Sequence, residues 1–283
     1  HVLGLRGSLI HDHGAYTARG INLAYNSALV ITLPYEISAF HLGVRLALTN
    51  KVPSTPVRGA GHPQGIFAME RMLDRAAREL GIDRAEIRRR NLVPPEKIPY
   101  QRPLKSRGDA FVLLDSGDYP ACMEKALQRA GYAGFSERQA QARAEGRYIG
   151  IGIGNYVKGT GRGPFESVNV KIGTSGKILV YTGAAAMGQS TRTMLSQIVA
   201  KQLGGDMGLV EVVLGDTDGV PIGIGGSASR QTVTAGSSAL LAATEVREKL
   251  LALAAHMLET SPEDLEIKGG EVRVKGGSDM KIS

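Results

Sequence analysis

Glu166-Ser167-Val168-Asn169-Val170-Lys171-Ile172-Gly173-Thr174-Ser175-Gly176-Lys177-Ile178-Leu179-Val180-Tyr181-Thr182 reads as two short β runs, 166–172 and 177–182, joined by a Gly-Thr-Ser-Gly hairpin turn. Downstream, Met194, Leu195, Ile198, Val199 and Leu203 recur at helical spacing and predict a helix over 191–203. A strand over 210–214 and a long loop to Arg230 follow, then a helix over 235–258. Ser261-Pro262-Glu263-Asp264 opens a further helix, and 265–274 is a hairpin turning at Gly269-Gly270. Upstream the β texture begins at Arg147, with a run over 148–157.

Before Arg147 the chain reads differently. Residues 2–9 look like the middle of a strand, and 37–48 alternate apolar and other residues (Phe40, Leu42, Val44, Leu46, Leu48) up to Thr49-Asn50. A Pro- and Gly-punctuated loop spans 51–65. Ile66, Met69, Leu73, Ala76, Ala77 and Leu80 then mark one helical face, with Gly81 as its C-cap and Asp83 as the N-cap of a short second helix. Residues 92–107, with Pro94, Pro95, Pro99 and Pro103, suit neither helix nor strand and read as an extended surface connector. Helices are expected over 118–130 and 136–145, closed by Gly146. No fixed-period repeat emerges. The whole is an α+β chain in two mixed sheet-and-helix halves, 1–146 and 147–283.

The chain has 283 residues, 42% hydrophobic and 22% charged, enough to bury a substantial core. No apolar run approaches the roughly 20 residues a membrane helix needs. A single cysteine, Cys122, excludes an internal disulfide and a cysteine-only metal site, and points to a reducing compartment, with the cytoplasm as default. It falls on an amphipathic helix without a paired His, the setting of a buried, inert thiol. The net charge of +7 raises nucleic-acid binding, but the densest basic run, 84–90, is interleaved with Glu86 and follows Asp83, so it reads as a solvated helix face. Aromatics to stack bases are 5% of the chain, with no Trp. The chain opens on His1 rather than Met and ends at Asp279 to Ser283 without a terminating element, so it reads as a piece of a longer polypeptide or one half of a split subunit.

Three glycine-rich segments sit beside regular elements. Arg58-Gly59-Ala60-Gly61-His62-Pro63-Gln64-Gly65 runs into a helix, where backbone N–H groups can approach a ligand and Arg58 can hold an oxyanion or polar substrate; a tight turn explains the spacing equally well. Gly183-Ala184-Ala185-Ala186-Met187-Gly188-Gln189-Ser190-Thr191 links a strand end to a helix and suits a phosphate, without the Lys of a P-loop or Rossmann glycine spacing; an ordinary N-cap is the plainer alternative. Gly223-Ile224-Gly225-Gly226-Ser227-Ala228-Ser229-Arg230-Gln231-Thr232 precedes the long helix. Three such loops favour one shared anionic ligand, although spacing does not show that they converge. His11-Asp12-His13 lacks a third metal ligand nearby and reads as structural. Asp216-Thr217-Asp218 reads as a loop-ordering turn rather than a cation site. No Ser–His–Asp signature is present.

Asp12-x-Gly14-Ala15-Tyr16, Thr49-Asn50, Val57 to Gly65, Met69-Glu70-Arg71 and Arg88-Arg89-Arg90-Asn91-Leu92 strongly resemble the molybdopterin-binding large subunit of the xanthine dehydrogenase and aldehyde oxidase family. Gly188-Gln189, Gly215-Asp216-Thr217 and Ala228-Ser229-Arg230 continue the series in order, so it covers essentially the whole chain. The resemblance implies a molybdenum–pyranopterin cofactor, commonly its cytosine dinucleotide form, and hydroxylation of an aldehyde or N-heteroaromatic carbon with water-derived oxygen. It implies iron–sulfur clusters and FAD on partner domains or subunits, and a homo- or hetero-oligomer.

Carried over by residue, Arg58 matches the active-site arginine, with Gly59 and Ala60 in its loop. Gly188, Gln189, Ser190 and Thr191 match the pterin-side Gly-Gln-Gly segment, with Ser190 for the last glycine. Ser227, Ala228 and Ser229 match the loop around the pterin and substrate. Gly59 stands where carbon monoxide-oxidising members carry a cysteine, which disfavours that substrate. The upstream glutamine loop and the downstream Gly-x-Gly-Glu that supplies the general base are absent from these 283 residues, so by themselves they are expected to be inactive. The alternative is a non-catalytic scaffold or assembly module of the same fold that binds partner subunits.

Overall fold

The structure, a computed structural model, describes residues 1–17, 19–105, 110–161, 163–277 and 280–282, and divides into two units, His1–Lys158 and Gly159–Ser283. The end of the connector expected over 92–107, and Asp279 and Ser283 at the chain end, lie outside the described residues.

In the second unit the hairpin forms as the sequence predicts. Strands β5 (Val168–Ile172) and β6 (Ile178–Thr182) pair antiparallel, with Val170 opposite Val180. Helix α6 (Thr191–Leu203) then crosses over, and β7 (Val210–Leu214) pairs parallel to β6. Helix α7 (Gln231–Met257) packs on α6, and both cover one face of the sheet. Val180, Leu195, Val199, Ala235, Ala239 and Ala243 centre this core. The small side chains at 235, 239 and 243 recur every four residues, forming a flat stripe that lets α7 lie close to its neighbours. The helix opening at 261–264 amounts to a single 3-10 turn, followed by the antiparallel pair β8 (Leu265–Lys268) and β9 (Glu271–Val274) and the short β10 (Lys281–Ile282).

In the first unit β1 (Gly4–Gly14) and β2 (Ala39–Leu48) form a parallel pair joined by α1 (Ile21–Val30), a helix that the hydrophobic pattern does not announce. Its buried residues are Ala24, Asn26, Ser27 and Val30, so half of its inward face is polar. Helix α2 (His62–Leu80) ends at Gly81 in the left-handed conformation, and Asp83 caps α3 (Arg84–Arg89) by accepting from the Ala85 and Glu86 N–H groups, both as the sequence predicts. The core gathers Tyr35, Met69, Leu73, Ala77, Ala85 and Leu92.

Four expectations are corrected. The stretch 92–107 is not all connector: β3 (Tyr100–Lys105) pairs with β4 (Phe111–Leu114), the proline-bearing part falling in a register shift between Gln101 and Lys105 where no ladder donor is required. The run over 148–157 forms no strand, and among the described residues it has no strand partner. Side chains take the place of a partner, with Gln139 donating to the Ile149 carbonyl, Arg84 to Ile151 and Arg88 to Ile153. Cys122 is exposed on α4 (Tyr119–Ala130), where Met123 and Leu127 occupy the buried positions. The 84–90 run is not uniformly solvated, because Arg88 is 0% exposed. Arg88 pairs with Glu70 (2.8 Å) and Asp74 (3.0 Å), and Glu70 accepts the Tyr35 hydroxyl (2.5 Å). Helix α5 (Phe135–Ala144) forms as expected and is mostly exposed.

The Asp12, Gly14 and Thr49 motif positions meet at one junction. Asp12 accepts from Lys51 Nζ (2.5 Å), Thr49 Oγ1 (2.6 Å) and the Gly14 N–H (3.3 Å). Gly14 has φ +81°, and a Cβ there would overlap the Val52 backbone. The hydrogen bonds from Lys51 and Thr49 hold the Asp12 carboxyl at about 2, below its ordinary value of about 4. The ionised form is thus favoured in the folded chain. The stabilisation is whole above about pH 4 and is lost as pH falls through about 2. In melting curves across pH, an Asp12→Asn chain is expected to melt below wild type at neutral pH and to converge with it near pH 2. Parallel curves at every pH would remove Asp12 from this role.

Candidate functional site

Strands β6 and β7 run parallel, and each delivers its carboxyl end to a glycine-rich loop that enters a helix: 183–190 into α6 and 215–230 into α7. In open α/β layers this edge is where ligands bind. The two loops touch. A Cβ on Gly223 would lie 2.5 Å from the Gly183 Cα, so both positions require glycine for the backbones to cross.

Gln231, the first residue of α7, ties the loops together. Its amide nitrogen donates to the Ala185 carbonyl (2.6 Å), and its Oε1 accepts from Gln189 Nε2 (2.6 Å) and Thr191 Oγ1 (2.7 Å). Gln189 Oε1 in turn accepts the Met187 N–H (2.5 Å). The side chains of Gln189 and Thr191 therefore hold the loop, while Met187, Gly188 and Ser190 are exposed. Ser190, the N-cap of α6, has φ +61° and gives no side-chain cap; Ser229 has φ +55° and precedes Arg230, the likewise uncapped start of α7. A left-handed residue stepping into a right-handed turn points successive N–H groups to one side, the geometry that holds anions. For the N–H groups of Gly188, Ser227 and Ala228 no acceptor is found among the described residues. Gly188, Ser190, Ser227, Ala228 and Ser229 are exposed, Gln189 is half-buried and Thr191 is buried.

The Asp216 carboxylate accepts the Asp218 N–H (3.0 Å), a loop-ordering turn. Among the described residues no group of three His, Cys, Asp or Glu is placed to hold a metal ion. His13 is buried beside His11, their rings 5.6 Å apart.

Arg58, Gly59 and Ala60 lie in the first unit. There Gly59 (φ +100°), Ala60 (φ +40°) and Gly61 (φ +91°) make a tight turn. The Ala60 N–H donates to the Val57 carbonyl (2.8 Å) and its carbonyl accepts from Asn26 (2.7 Å), while Ser27 donates to the Gly61 carbonyl (2.7 Å). Side chains at 61 or 65 would overlap the α1 carbonyls of Leu23 and Ser27, so these two glycines serve helix packing. Exposed Arg58 borders a cleft of about 630 Å³, largely apolar, with Pro63, Ile66, Phe67, Ile153 and Tyr156.

Five residues that shape these loops have no site role in the sequence reading: Asn26, Ser27, Glu166, and Arg230 and Gln231, which it quotes only as part of their loop. Two carried a legible signal. Glu166, just ahead of β5, is in phase with Val168 and Val170, and Gln231 heads the four-residue stripe of Ala235, Ala239 and Ala243. A polar residue in register with a buried face needs a partner there.

Two matches to the molybdopterin cofactor-binding domain cover residues 1–92 and 125–283. The chain is 36% identical over 283 residues to the 6-hydroxypseudooxynicotine dehydrogenase complex subunit gamma of Paenarthrobacter nicotinovorans, covering 100% of this chain and 35% of that protein. It is 30% identical over 275 residues to the xanthine dehydrogenase molybdenum-binding subunit of Escherichia coli O157:H7, covering 93% of this chain and 35% of that one. The crystal structure of quinoline 2-oxidoreductase from Pseudomonas putida 86 superposes with a TM-score of 0.83 at 34% identity, over 99% of this chain and 37% of that chain. The chain thus spans about a third of the length of the relatives it matches. With both units matched, and with the ordered motifs placed where they anchor the fold, the chain belongs to the xanthine dehydrogenase and aldehyde oxidase family, in its molybdopterin cofactor-binding portion.

Proposed function

We propose that the chain is the cofactor- and substrate-binding part of a molybdenum hydroxylase that acts on an aldehyde or N-heteroaromatic carbon. The supporting observation is the meeting of two uncapped helix N-termini, each approached through a left-handed serine and joined by Gln231. A dinucleotide pterin carries phosphates, and these residues offer what phosphates require: outward N–H groups, short hydroxyls and the positive ends of two helix dipoles. Bound there, a molybdenum–pyranopterin, in this reading the cytosine dinucleotide form, supplies two-electron redox chemistry with oxygen from water.

The chain's own residues bind and orient. The first turns of α6 and α7, with Gly188, Ser190, Ser227, Ala228 and Ser229, hold the phosphate end. Gln189 and Thr191 act through Gln231, keeping the two loops in register. Arg58 holds a polar or oxyanionic substrate group at the mouth of its apolar cleft. The general base is not among these 283 residues, and with iron–sulfur clusters and FAD on partner domains or subunits these residues alone are expected to bind but not turn over. The setting is a cytoplasmic homo- or hetero-oligomer.

Elemental mass spectrometry of the full-length protein from its own host, with assay of released cytidine monophosphate, tests this reading. Near-stoichiometric molybdenum with the nucleotide is expected; a metal-free protein would favour the scaffold. In the loaded enzyme, Arg58→Ala is expected to cut kcat/KM by about tenfold to a hundredfold, with molybdenum content unchanged. Equal loss of both would make Arg58 structural.

A further inference from the structure

The Glu166–Arg230 ion pair is deeply buried, with the two residues 2% and 1% exposed and Nη1 to Oε2 at 2.8 Å. Among the described residues its other hydrogen bonds are to backbone groups. The Glu166 carboxylate accepts the N–H groups of Ser167 (3.3 Å), Ile224 (3.2 Å) and Gly225 (3.1 Å). Arg230 donates to the Gly225 carbonyl (2.9 Å) and to the Phe165 carbonyl. Ser238, two turns along α7, donates to the Glu166 carbonyl (2.7 Å). The pair therefore grips Gly225 by its N–H and its carbonyl, while the Arg230 backbone N–H donates to Ser227 (3.3 Å) and closes the other end of the loop. Between these ends lie Ala228 and Ser229, two successive non-glycine residues with φ +55°.

We propose that Glu166 and Arg230 are positioning residues that hold loop 225–230 in its phosphate-receiving shape, an inference that rests on the cofactor reading above. A buried pair is a poor way to gain stability, since apolar residues of similar volume serve as well or better. Apolar residues cannot, however, hold a glycine N–H and a carbonyl at once. Left-handed non-glycine residues relax unless their surroundings over-determine them, and here the pair acts at Gly225 together with the Gly161 N–H, which donates to the Ser229 carbonyl (3.1 Å). Because Glu166 neutralises it and its guanidinium is turned into the protein, Arg230 meets the anion only through the shape it imposes.

The test uses the full-length protein purified from its own host, with molybdenum and pterin measured per folded chain. Glu166→Met/Arg230→Met is expected to melt a few degrees below wild type, through the backbone hydrogen bonds it loses, yet to hold about tenfold less cofactor per folded chain. Arg230→Lys, which keeps the charge but loses the planar fork, is expected to fold and to load to an intermediate level. Variants that load like wild type per folded chain, including ones that merely fold in lower yield, overturn the positioning role. Wild-type protein without molybdenum overturns the cofactor reading instead, so the two failures are distinguishable.

Discussion

Replacing Arg88 with alanine is expected to destabilise the chain by about 3–5 kcal/mol, the range for stranding a buried charge. For a unit of this size that corresponds to a melting temperature lower by roughly 10 °C, at about 2–4 °C per kcal/mol. The side chain is 0% exposed, and it pairs with Glu70 and Asp74 while donating to the carbonyls of Arg84, Glu70 and Ile153. Among the described residues, removing it leaves Glu70, itself 6% exposed, with the Tyr35 hydroxyl as its remaining side-chain partner, and takes from the 147–158 segment the tie at the Ile153 carbonyl. Glu70→Leu/Arg88→Met should cost clearly less than Arg88→Ala, because the stranded Glu70 carboxylate is gone and Asp74 keeps its ion pair with Arg71 (2.9 Å). A double variant as unstable as the single one would show that lost packing, rather than the stranded carboxylate, sets the cost. Calorimetric melting of the three chains decides it.

Arg88 also shows why the family series was legible while its meaning was not. Glu70, Arg88, Asn91, Asp12, Gly14 and Thr49 all belong to the quoted motifs, and the structure uses each as an anchor: Asn91, for example, accepts the Val2 N–H (2.6 Å) and donates to the Ile87 carbonyl (2.6 Å). A charge-counting view places Arg88 on a solvated face because Arg89 and Arg90 beside it are indeed half-exposed. Only tertiary packing separates the three. In the second unit hydrophobic period and turn chemistry agree, and the hairpin, α6, β7 and the 265–274 pair fall where the pattern puts them. Helix α1 stayed hidden because Asn26 and Ser27 face inward to bond the 60–61 carbonyls, which breaks its apolar stripe. The glycine loops announced themselves as special, yet composition does not distinguish Gly61 and Gly65, which seat one helix on another, from Gly183 and Gly223, where two loops cross.

That crossing carries the second large expected effect. Gly223→Ala would place a methyl 2.5 Å from the Gly183 Cα, 3.0 Å from its carbonyl carbon and 3.1 Å from Glu166 Oε1. The first two are backbone atoms that no rotamer change can move, so the loops must part. The overall cost is about 1–3 kcal/mol, as for overpacking elsewhere, and the fold should survive it. The consequence for the site is larger, because the contacts of Gln231 with Ala185, Gln189 and Thr191 all lie across that crossing and tolerate little displacement. Since each 1.4 kcal/mol is tenfold in an equilibrium, molybdenum per folded chain is expected to fall by about tenfold or more, with a melting temperature only a few degrees lower. Gly205→Ala is the matched control: its methyl would come no nearer than 3.9 Å to the Ile178 side chain, and loading should be unchanged. A Gly223→Ala protein that loads fully would mean that the two loops need not touch to hold the cofactor, and that Gln231 only closes the start of α7.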